Sequence, residues 1–299
     1  MTLVETTSRE DLYPSRTPHL VPGWLRRQEP TVYPSDFEGP LSDGQLAFYD
    51  IHGFLCLEDW LDDASTEELK RESDRLGSSA QIDGERVVGE PDRNVIRSIF
   101  EPHATNQIIN KLTKRPELAG AARQILGDKV YIHQSRLNFK PGFEGKAFDW
   151  HSDFETWHVE DGMPRMRALS CVVLIHENFI HNGPLMIVPG SHRVYLQCGG
   201  QTPENHYRQS LQKQQYGVPD RTQLKELMSQ HGIHTMLGKP GTVILFDCNA
   251  MHGSAGNISP FPRNNLFVVF NAASNALVAP YCGLKPRPEH IASRSFQTL

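Results

Sequence analysis

Apolar positions with a helical spacing fill the chain between residues 41 and 127. Ser42 can cap a first helix, because its hydroxyl can accept a hydrogen bond from the first turn. The apolar set of that helix continues to Leu55, although Gly53 interrupts the spacing. The first half of the chain is therefore expected to be helical.

Two more helices are predicted in this part. Residues 65–68 have the Ser-x-x-Glu spacing of a capping box, and Gly77 is a plausible end for the helix that follows. A third helical stretch covers residues 104–126. Pro116 opens its second half at a first-turn position, and Gly127 ends it.

From residue 128 to about residue 275 the pattern changes to strands joined by turns. The clearest predicted strands are residues 129–139, 168–175, 184–188, 241–246 and 264–271. The first of them places Gln134, Arg136 and Asn138 on one face. A polar face that looks inward indicates a wet pocket rather than a closed core.

Helices followed by about eight strands predict an α+β chain whose second part is a β-sandwich or barrel. We predict an irregular, proline-rich arm over residues 1–40 and one domain over residues 41–299. A polar, glutamine-rich stretch at residues 196–236 interrupts the strands and is predicted to be an insertion, with a short helix near residues 221–230.

Composition narrows the functional classes. Hydrophobic residues make up 38% of the chain and charged residues 22%, as in soluble globular proteins. The net charge of −5 argues against a nucleic acid or an anionic membrane as partner. No apolar run reaches the roughly 18 residues of a membrane span. The five cysteines form no metal or disulfide pattern, and no signal peptide is visible, so a cytoplasmic location is expected.

The densest group of reactive side chains is residues 148–158, which contain two His, two Asp, one Glu, two Trp and two Phe. On an extended backbone, His151 and Asp153 can face the same point, because side chains repeat every second residue. One imidazole and one carboxylate are two thirds of the facial triad that holds non-haem Fe(II). A third ligand is then expected from a distant strand.

His252 is the best candidate for that ligand, because it follows a predicted strand after a short turn. Arg263 lies eleven positions after it and opens the last strand. A guanidinium there could hold a carboxylate through two hydrogen bonds, with the Ser254 hydroxyl adding another.

These features together resemble a known family. His-x-Asp, a distant His and an Arg about ten residues later are similar to the phytanoyl-CoA-dioxygenase-like branch of the Fe(II)/2-oxoglutarate oxygenases. Within that branch, the run from Phe148 to Gly162 looks like the ectoine hydroxylases. The resemblance covers the chain from about residue 40 onward and leaves out the proline-rich arm.

The resemblance implies a double-stranded β-helix (jelly-roll or cupin-like) core with the N-terminal helices packed outside. It implies Fe(II) as cofactor, 2-oxoglutarate and O2 as co-substrates, and conversion of ectoine to 5-hydroxyectoine with release of succinate and CO2. It also implies a homodimer.

Roles for individual residues follow from the same resemblance. The implied iron ligands are His151, Asp153 and His252. The implied 2-oxoglutarate pocket contains Arg263, Ser254, Phe148 and Ser170. The candidate ectoine pocket contains Gln134, Trp157, Phe267, Asn138 and Asn271, since aromatic faces suit a delocalised cation and amides suit a polar edge.

Several alternatives stay open. His158 and Glu160 form a second His-x-carboxylate pair, and Lys140 could either reach the co-substrate or be a solvated loop residue. The same chemistry could act on another small cyclic amino acid. A cupin-like metal protein that does not use 2-oxoglutarate is a further reading, as is a catalytically idle binding module. Arg263 argues against the cupin-like protein, and the intact set of ligands argues against the idle module.

Overall fold

Two antiparallel β-sheets lie at the centre of the chain. The computed structural model describes residues 10–90, 94–210 and 216–299. Residues 1–9 of the predicted arm and residues 211–215 of the predicted insertion lie outside the described residues.

In chain order the strands are β1 (Trp24–Arg26), β2 (Phe54–Leu57), β3 (Val87–Gly89), β4 (Ile96–Phe100), β5 (Val130–Lys140), β6 (Phe148–His151), β7 (Ala168–Leu174), β8 (Leu185–Ile187), β9 (Val194–Leu196), β10 (His234–Thr235), β11 (Val243–Asp247), β12 (His252–Ser254) and β13 (Arg263–Ala272). The longest strands are β5 and β13, which pair with each other in the larger sheet.

The larger sheet has seven strands in the order β2-β11-β7-β13-β5-β4-β3, and the smaller has four in the order β10-β8-β12-β6. Apolar side chains of both sheets meet between them, with Phe246 and Phe267 from the larger sheet and Leu185 and Ile187 from the smaller. Two facing antiparallel sheets built from strands distant in sequence form a jelly roll. The predicted α+β class and double-stranded β-helix core are confirmed.

The helices are concentrated before β5. They are α1 (Asp43–His52), α2 (Asp63–Ser79), α3 (Pro102–Thr105), α4 (Gln107–Thr113), α5 (Ala121–Leu126), α6 (Asp153–Thr156), α7 (Tyr207–Ser210) and α8 (Arg221–His231), with π-helical turns at Pro116–Gly120 and Trp157–Asp161. Helices α1 to α5 cover the outer face of the larger sheet, where Leu69, Ile109 and Ile125 pack with Leu137 and Leu266.

The first predicted helix is confirmed with a correction at its end. Ser42 accepts a hydrogen bond from the backbone of Gln45 in a capping box, and the helix stops at Gly53, whose φ is +78°. Phe54 and Leu55 belong to strand β2 rather than to the helix. The reason is burial on both sides, because Phe54 faces the space between the sheets and Leu55 faces the helices.

The predicted bounds of the second helix are wrong. Asp62, not Ser65, caps α2, and its carboxylate accepts from the Ser65 backbone N–H. The helix also continues past Gly77. A side chain at Gly77 would lie 2.9 Å from the Phe139 ring, so this glycine permits close packing of helix on sheet. The third stretch ends at Gly127, in a left-handed conformation, as predicted.

The alternation predicted for β5 is confirmed by its pairing with β13. Gln134, Arg136 and Asn138 lie opposite Val269, Phe267 and Asn265, all on the inner face. Leu266, Val268 and Phe270 of β13 face the helices instead. The pairing shifts between Val269 and Phe270, so His133 has no partner in the register and stands at a bulge.

The described part of the proline-rich arm, residues 10–40, is irregular apart from β1, which pairs with β9. A few of its side chains, among them Tyr13, Arg16 and Arg27, are nevertheless buried. Arg27 contacts the Asp247 carboxylate at 2.8 Å, close to the loop that leads to β12. Helix α8 confirms the helix predicted within the insertion.

No helix among the described residues is long and apolar enough to cross a membrane.

Candidate metal centre and active site

His151, Asp153 and His252 converge at one end of the two sheets. His151 ends β6, His252 begins β12, and the two residues are paired across the smaller sheet. The His151 Nε2 and Asp153 Oδ1 atoms are 3.6 Å apart, and His252 Nε2 and Asp153 Oδ2 are 3.8 Å apart. Among the described residues, this is the one group of three possible metal ligands whose donor atoms lie within 4.8 Å of one another.

Backbone carbonyl groups orient both imidazoles. The Nδ1 atom of His151 lies 2.7 Å from the Asp149 carbonyl oxygen, and that of His252 lies 3.0 Å from the Ala250 carbonyl oxygen. Nδ1–H donation to a carbonyl leaves the Nε2 lone pair of each ring directed at the site. The Ser170 hydroxyl donates to Asp153 Oδ2 at 3.2 Å and steadies the carboxylate.

The charges of the ligands suit a cation. Burial raises the pKa of Asp153, but His252 and His151 outweigh burial and hold that pKa below its usual range. Burial and the neighbouring His151 lower the pKa of His252 to about 4. Ionised carboxylate and neutral imidazole are the forms that bind metal. Two imidazoles and one carboxylate match the donor set of a non-haem Fe(II) centre, so the residues fit the implied metal.

A cavity lies beside the ligands, between the two sheets. Besides His151 and His252, its walls are formed by Arg136, Asn138, Phe148, Leu185, Gly253, Ser254, Arg263 and Phe267. The two sheets thus bring a metal site and a basic pocket together.

Arg263 stands at the end of this cavity with an incomplete set of partners. Its side chain is buried, its Nη1 donates to the Asn265 side-chain oxygen at 2.8 Å, and its Nε has no partner among the residues that the structure describes. Burial, with the neighbouring Arg97 and Arg136, lowers the pKa of Arg263 to about 9. An arginine in this state is poised to receive an anion.

Lys140 lies beside Arg263 on the paired strand. Its Nζ donates to the Ser254 hydroxyl at 2.8 Å and to the Ala255 carbonyl oxygen. Burial and the nearby cations Arg263 and Arg97 lower the pKa of Lys140 to about 5. The solvated-loop alternative for Lys140 is therefore wrong, since the side chain is buried.

Arg97 and Arg136 add two more basic groups. The Arg97 guanidinium lies 3.6 Å from the centre of the Phe148 ring, and the Arg136 guanidinium lies 4.8 Å from that of Phe267. Glu90 pairs with Arg97 at 2.8 Å. The three guanidinium groups, gathered with a single paired carboxylate, leave an excess of positive charge for an anionic ligand.

The residues predicted to hold the co-substrate fall into two groups. Phe148, Ser254 and Arg263 line the cavity. Ser170 instead contacts the metal ligand Asp153. Their roles toward a co-substrate stay predictions.

The residues predicted for the substrate are also divided. Asn138 and Phe267 line the cavity. Gln134 donates its side-chain amide to the Ile291 carbonyl oxygen at 2.7 Å. Asn271 donates to the Tyr131 hydroxyl and to the Asn275 carbonyl oxygen, each at 2.9 Å. Trp157 packs with Phe154 and Met163 in a separate apolar cluster. Their assignment to the substrate stays a prediction.

The alternative pair His158 and Glu160 has other partners. His158 contacts the Met163 carbonyl oxygen at 2.8 Å and the Asp11 carboxylate at 2.9 Å. Glu160 accepts from Arg16 and contacts His206. Both residues are committed to the arm and the insertion, away from the converged ligands.

Sequence reasoning placed Arg136 on the polar inner face of β5 but gave it no role in the site, and it missed Arg97. A signal existed for Arg136, because the alternation of β5 places it on the same inner face as Asn138. No such signal existed for Arg97, which lies on the short strand β4, outside any predicted element.

Comparisons with known proteins agree with this geometry. Residues 49–265 match the model of the family described as phytanoyl-CoA dioxygenase (PhyH). An ectoine dioxygenase from Bordetella bronchiseptica is 53% identical over 287 residues, which are 95% of this chain and 93% of the relative. One from Sphingopyxis alaskensis is 54% identical over 292 residues, covering 95% and 94%.

Solved structures give the same result. The crystal structure of EctD from S. alaskensis with 2-oxoglutarate and 5-hydroxyectoine aligns with a TM-score of 0.85 at 50% identity, covering 95% of this chain and 94% of that one. The same protein with bound Fe aligns with a TM-score of 0.84 at 49% identity, covering 96% and 95%. The carbocyclase SnoK, at 17% identity, covers 78% of this chain and 85% of its own with a TM-score of 0.60, a likeness of fold alone. The chain belongs to the phytanoyl-CoA dioxygenase (PhyH) family, within the group of ectoine dioxygenases.

Proposed function

We propose that this protein is an Fe(II)- and 2-oxoglutarate-dependent dioxygenase that hydroxylates ectoine to 5-hydroxyectoine. The observation that carries the proposal is the juxtaposition of the three converged ligands with a cavity that holds an excess of buried positive charge. A metal-binding protein without an anionic co-substrate has no use for that charge, so the cupin-like alternative is disfavoured. The ectoine substrate rests on relatives about half identical over nearly the whole chain.

His151, Asp153 and His252 would hold Fe(II), and Arg263 would hold the distal carboxylate of 2-oxoglutarate. When bound, the iron and 2-oxoglutarate activate O2, and oxidative decarboxylation yields succinate, CO2 and one oxygen atom for a substrate C–H bond. Ser170 holds the Asp153 carboxylate, so the ligand set stays rigid. Phe148 and Phe267 form apolar walls that limit water beside the ligands.

The roles of the basic groups differ. Arg263 offers a fork that suits a planar carboxylate, whereas Lys140 offers a single point of charge. Lys140 already donates to the Ser254 hydroxyl, so the two groups would contact a bound ligand together. Arg136 lies on the inner face between Asn138 and Gln134, where it adds positive charge between Arg263 and the residues predicted for the substrate.

A coupled turnover measurement tests the proposal. Purified protein with Fe(II), 2-oxoglutarate and ectoine is expected to release succinate and a product one oxygen atom heavier than ectoine, in equal amounts. A panel of small cyclic amino acids serves as the comparison. Succinate release with no hydroxylated ectoine, or a clear preference for another panel member, would overturn the substrate assignment while leaving the co-substrate assignment intact.

The homodimer and the cytoplasmic location stay predictions. Sedimentation at several protein concentrations tests the first, and a mass of one chain at all of them would contradict it.

A further inference from the structure

Arg16, in the proline-rich arm, has the densest set of ionic contacts close to the metal ligands. It is 2% exposed. Its Nε donates to the two carboxylate oxygens of Glu155 at 2.9 and 3.1 Å, and its Nη2 donates to Glu155 and to the Thr156 hydroxyl. Its Nη1 donates to Glu160. Most donors of the guanidinium fork are thus used by one short segment of chain, residues 155–160.

That segment is the one that carries a metal ligand. Asp153 begins helix α6, Glu155 follows two residues later, and Glu160 lies in the π-helical turn that continues the helix. Trp157, the predicted aromatic contact for the substrate, stands between the two carboxylates that Arg16 holds. Arg16 therefore holds the chain on both sides of Trp157, starting two residues after the candidate metal ligand Asp153.

The same guanidinium also meets the insertion. Arg16 Nη1 lies 3.5 Å from the Thr202 hydroxyl, and His206 contacts Glu160 at 2.8 Å. A side chain at Gly217, whose φ is +73°, would collide with both Arg16 and Glu155. Thr202, His206 and Gly217, all within the insertion, thus lie against the ion pair.

The backbone of the arm is held in an unusual conformation to achieve this. Arg16 has a φ of +50°, which is costly for an arginine. Its backbone N–H donates to the Cys198 carbonyl oxygen at 2.8 Å, and the Ser15 hydroxyl donates to Glu155 at 2.8 Å. Strain that is kept in place by neighbouring contacts often marks a functional position.

We propose that Arg16 is a positioning residue. By holding Glu155 and Glu160, it fixes the position of Asp153 relative to Trp157. The inference rests on the proposed function and deepens it. It predicts that Arg16 governs how tightly 2-oxoglutarate consumption is coupled to hydroxylation, because a shifted segment still permits decarboxylation but misplaces the substrate.

Two variants separate positioning from simple stabilisation. Arg16→Lys keeps the buried charge and loses the fork, and Arg16→Met removes both. The matched control is Arg167→Gln. Arg167 also donates to several groups, namely the carbonyl oxygens of Leu126 and Gly127 and the Ser274 hydroxyl, but none of its contacts involves the metal ligands.

Three readouts are needed: the thermal midpoint, the visible absorption spectrum of the Co(II)-loaded protein, and the ratio of succinate to hydroxylated product. We expect Arg16→Lys to fold, to bind Co(II) about 10-fold more weakly with an altered spectrum, and to release succinate in excess over product. Arg167→Gln is expected to lower the thermal midpoint and to leave the spectrum and the ratio unchanged.

An Arg16→Lys protein with a lowered thermal midpoint but a native Co(II) spectrum and native coupling would overturn the proposal, because Arg16 would then only stabilise the fold. The Co(II) spectrum is recorded without substrate, so it tests Arg16 even if ectoine proves to be the wrong substrate. Failure of the unsubstituted protein to couple succinate release to ectoine hydroxylation would instead count against the proposed function. Arg16→Met leaves Glu155 and Glu160 buried without their cation. It is expected to change all three readouts more than Arg16→Lys does.

Discussion

The polar groups on the two sides of the metal ligands differ in how well they are satisfied. On the basic side, Arg263 and Arg136 each keep a buried Nε without a partner in the part of the chain that the structure describes. On the side predicted for the substrate, the amides of Gln134 and Asn271 already donate to groups of the protein. The basic side is incomplete, whereas these two amides of the substrate side are already satisfied; Asn138, also predicted for the substrate, keeps a buried Oδ1 without a partner among the described residues.

This difference separates ligand-binding residues from structural ones better than residue type does. A buried donor without a partner is costly, so it persists where a ligand completes it. A buried amide with two partners is explained by the fold alone. Asn271 thus has a structural explanation, whereas Gln134 spends one N–H on the Ile291 carbonyl oxygen and keeps its second N–H and its side-chain oxygen for other partners.

The largest expected effect concerns the ligands between the two sides. His252→Ala removes one of the three candidate metal ligands and is expected to lower activity by more than about 100-fold. Removing only a hydrogen-bond partner of a metal ligand typically costs less than that. Fe(II) binding, measured by equilibrium dialysis, is expected to fall in parallel. His158→Gln is the control from the competing pair and should keep metal binding. Loss of Fe(II) binding in His158→Gln with retention in His252→Ala would reverse the assignment.

Arg263→Ala tests the incomplete side directly. Loss of a buried charged partner is expected to weaken 2-oxoglutarate binding by about 2–5 kcal/mol, at least about 30-fold in KM. The KM for ectoine should change little. The free protein is expected to keep or raise its thermal midpoint, since Arg97 and Arg136 lose a like-charged neighbour. An unchanged KM for 2-oxoglutarate would mean that the anion lies elsewhere.

Lys140 predicts that binding of 2-oxoglutarate is coupled to the uptake of a proton. The pKa of Lys140 in the free protein is about 5, so the amine is neutral near pH 7, and a bound dianion should raise that pKa. Binding of 2-oxoglutarate near pH 7 is therefore expected to take up about one proton. Calorimetry in two buffers with different ionisation enthalpies measures this uptake, and Lys140→Met should abolish it. Equal proton uptake in both proteins would remove Lys140 from the anion site.

The same shift predicts how stability depends on pH. The unfolded chain holds the Lys140 proton up to its usual pKa near 10.5, and the folded chain releases it near pH 5. The unfolded state binds more protons across that window, so the contribution of Lys140 to folding stability rises with pH there. Lys140→Met is expected to flatten this rise in denaturant titrations of the free protein.

The smallest effect on activity is expected at Asn271, whose amide is already hydrogen-bonded within the protein. Asn271→Ala leaves the Tyr131 hydroxyl and the Asn275 carbonyl oxygen without a partner and should cost about 1–3 kcal/mol of folding free energy. The KM for ectoine should stay the same. A large rise in that KM with little loss of stability would show that this side opens to the substrate.

Much of the site was predictable because its signals are local or periodic. His151 and Asp153 are two residues apart, and the inner face of β5 follows from alternation, so even Arg136 could have been assigned to the cavity. Capping was less predictable. Asp62 and Ser65 are both good caps, and the choice between them depends on contacts such as that of Arg115 with Asp62, 53 residues away in sequence.

The sequence by itself predicted the candidate metal ligands, the order of helices and strands, and the inward face of the longest strands, because each rests on a short repeat or a short motif. Only the tertiary structure decided which buried polar groups have hydrogen-bond partners within the described residues and which lack one. It also decided that the irregular arm reaches the site, through Arg16 on Glu155 and Arg27 on Asp247. These ion pairs join residues 139 and 220 positions apart, and such contacts leave no periodic trace along the chain.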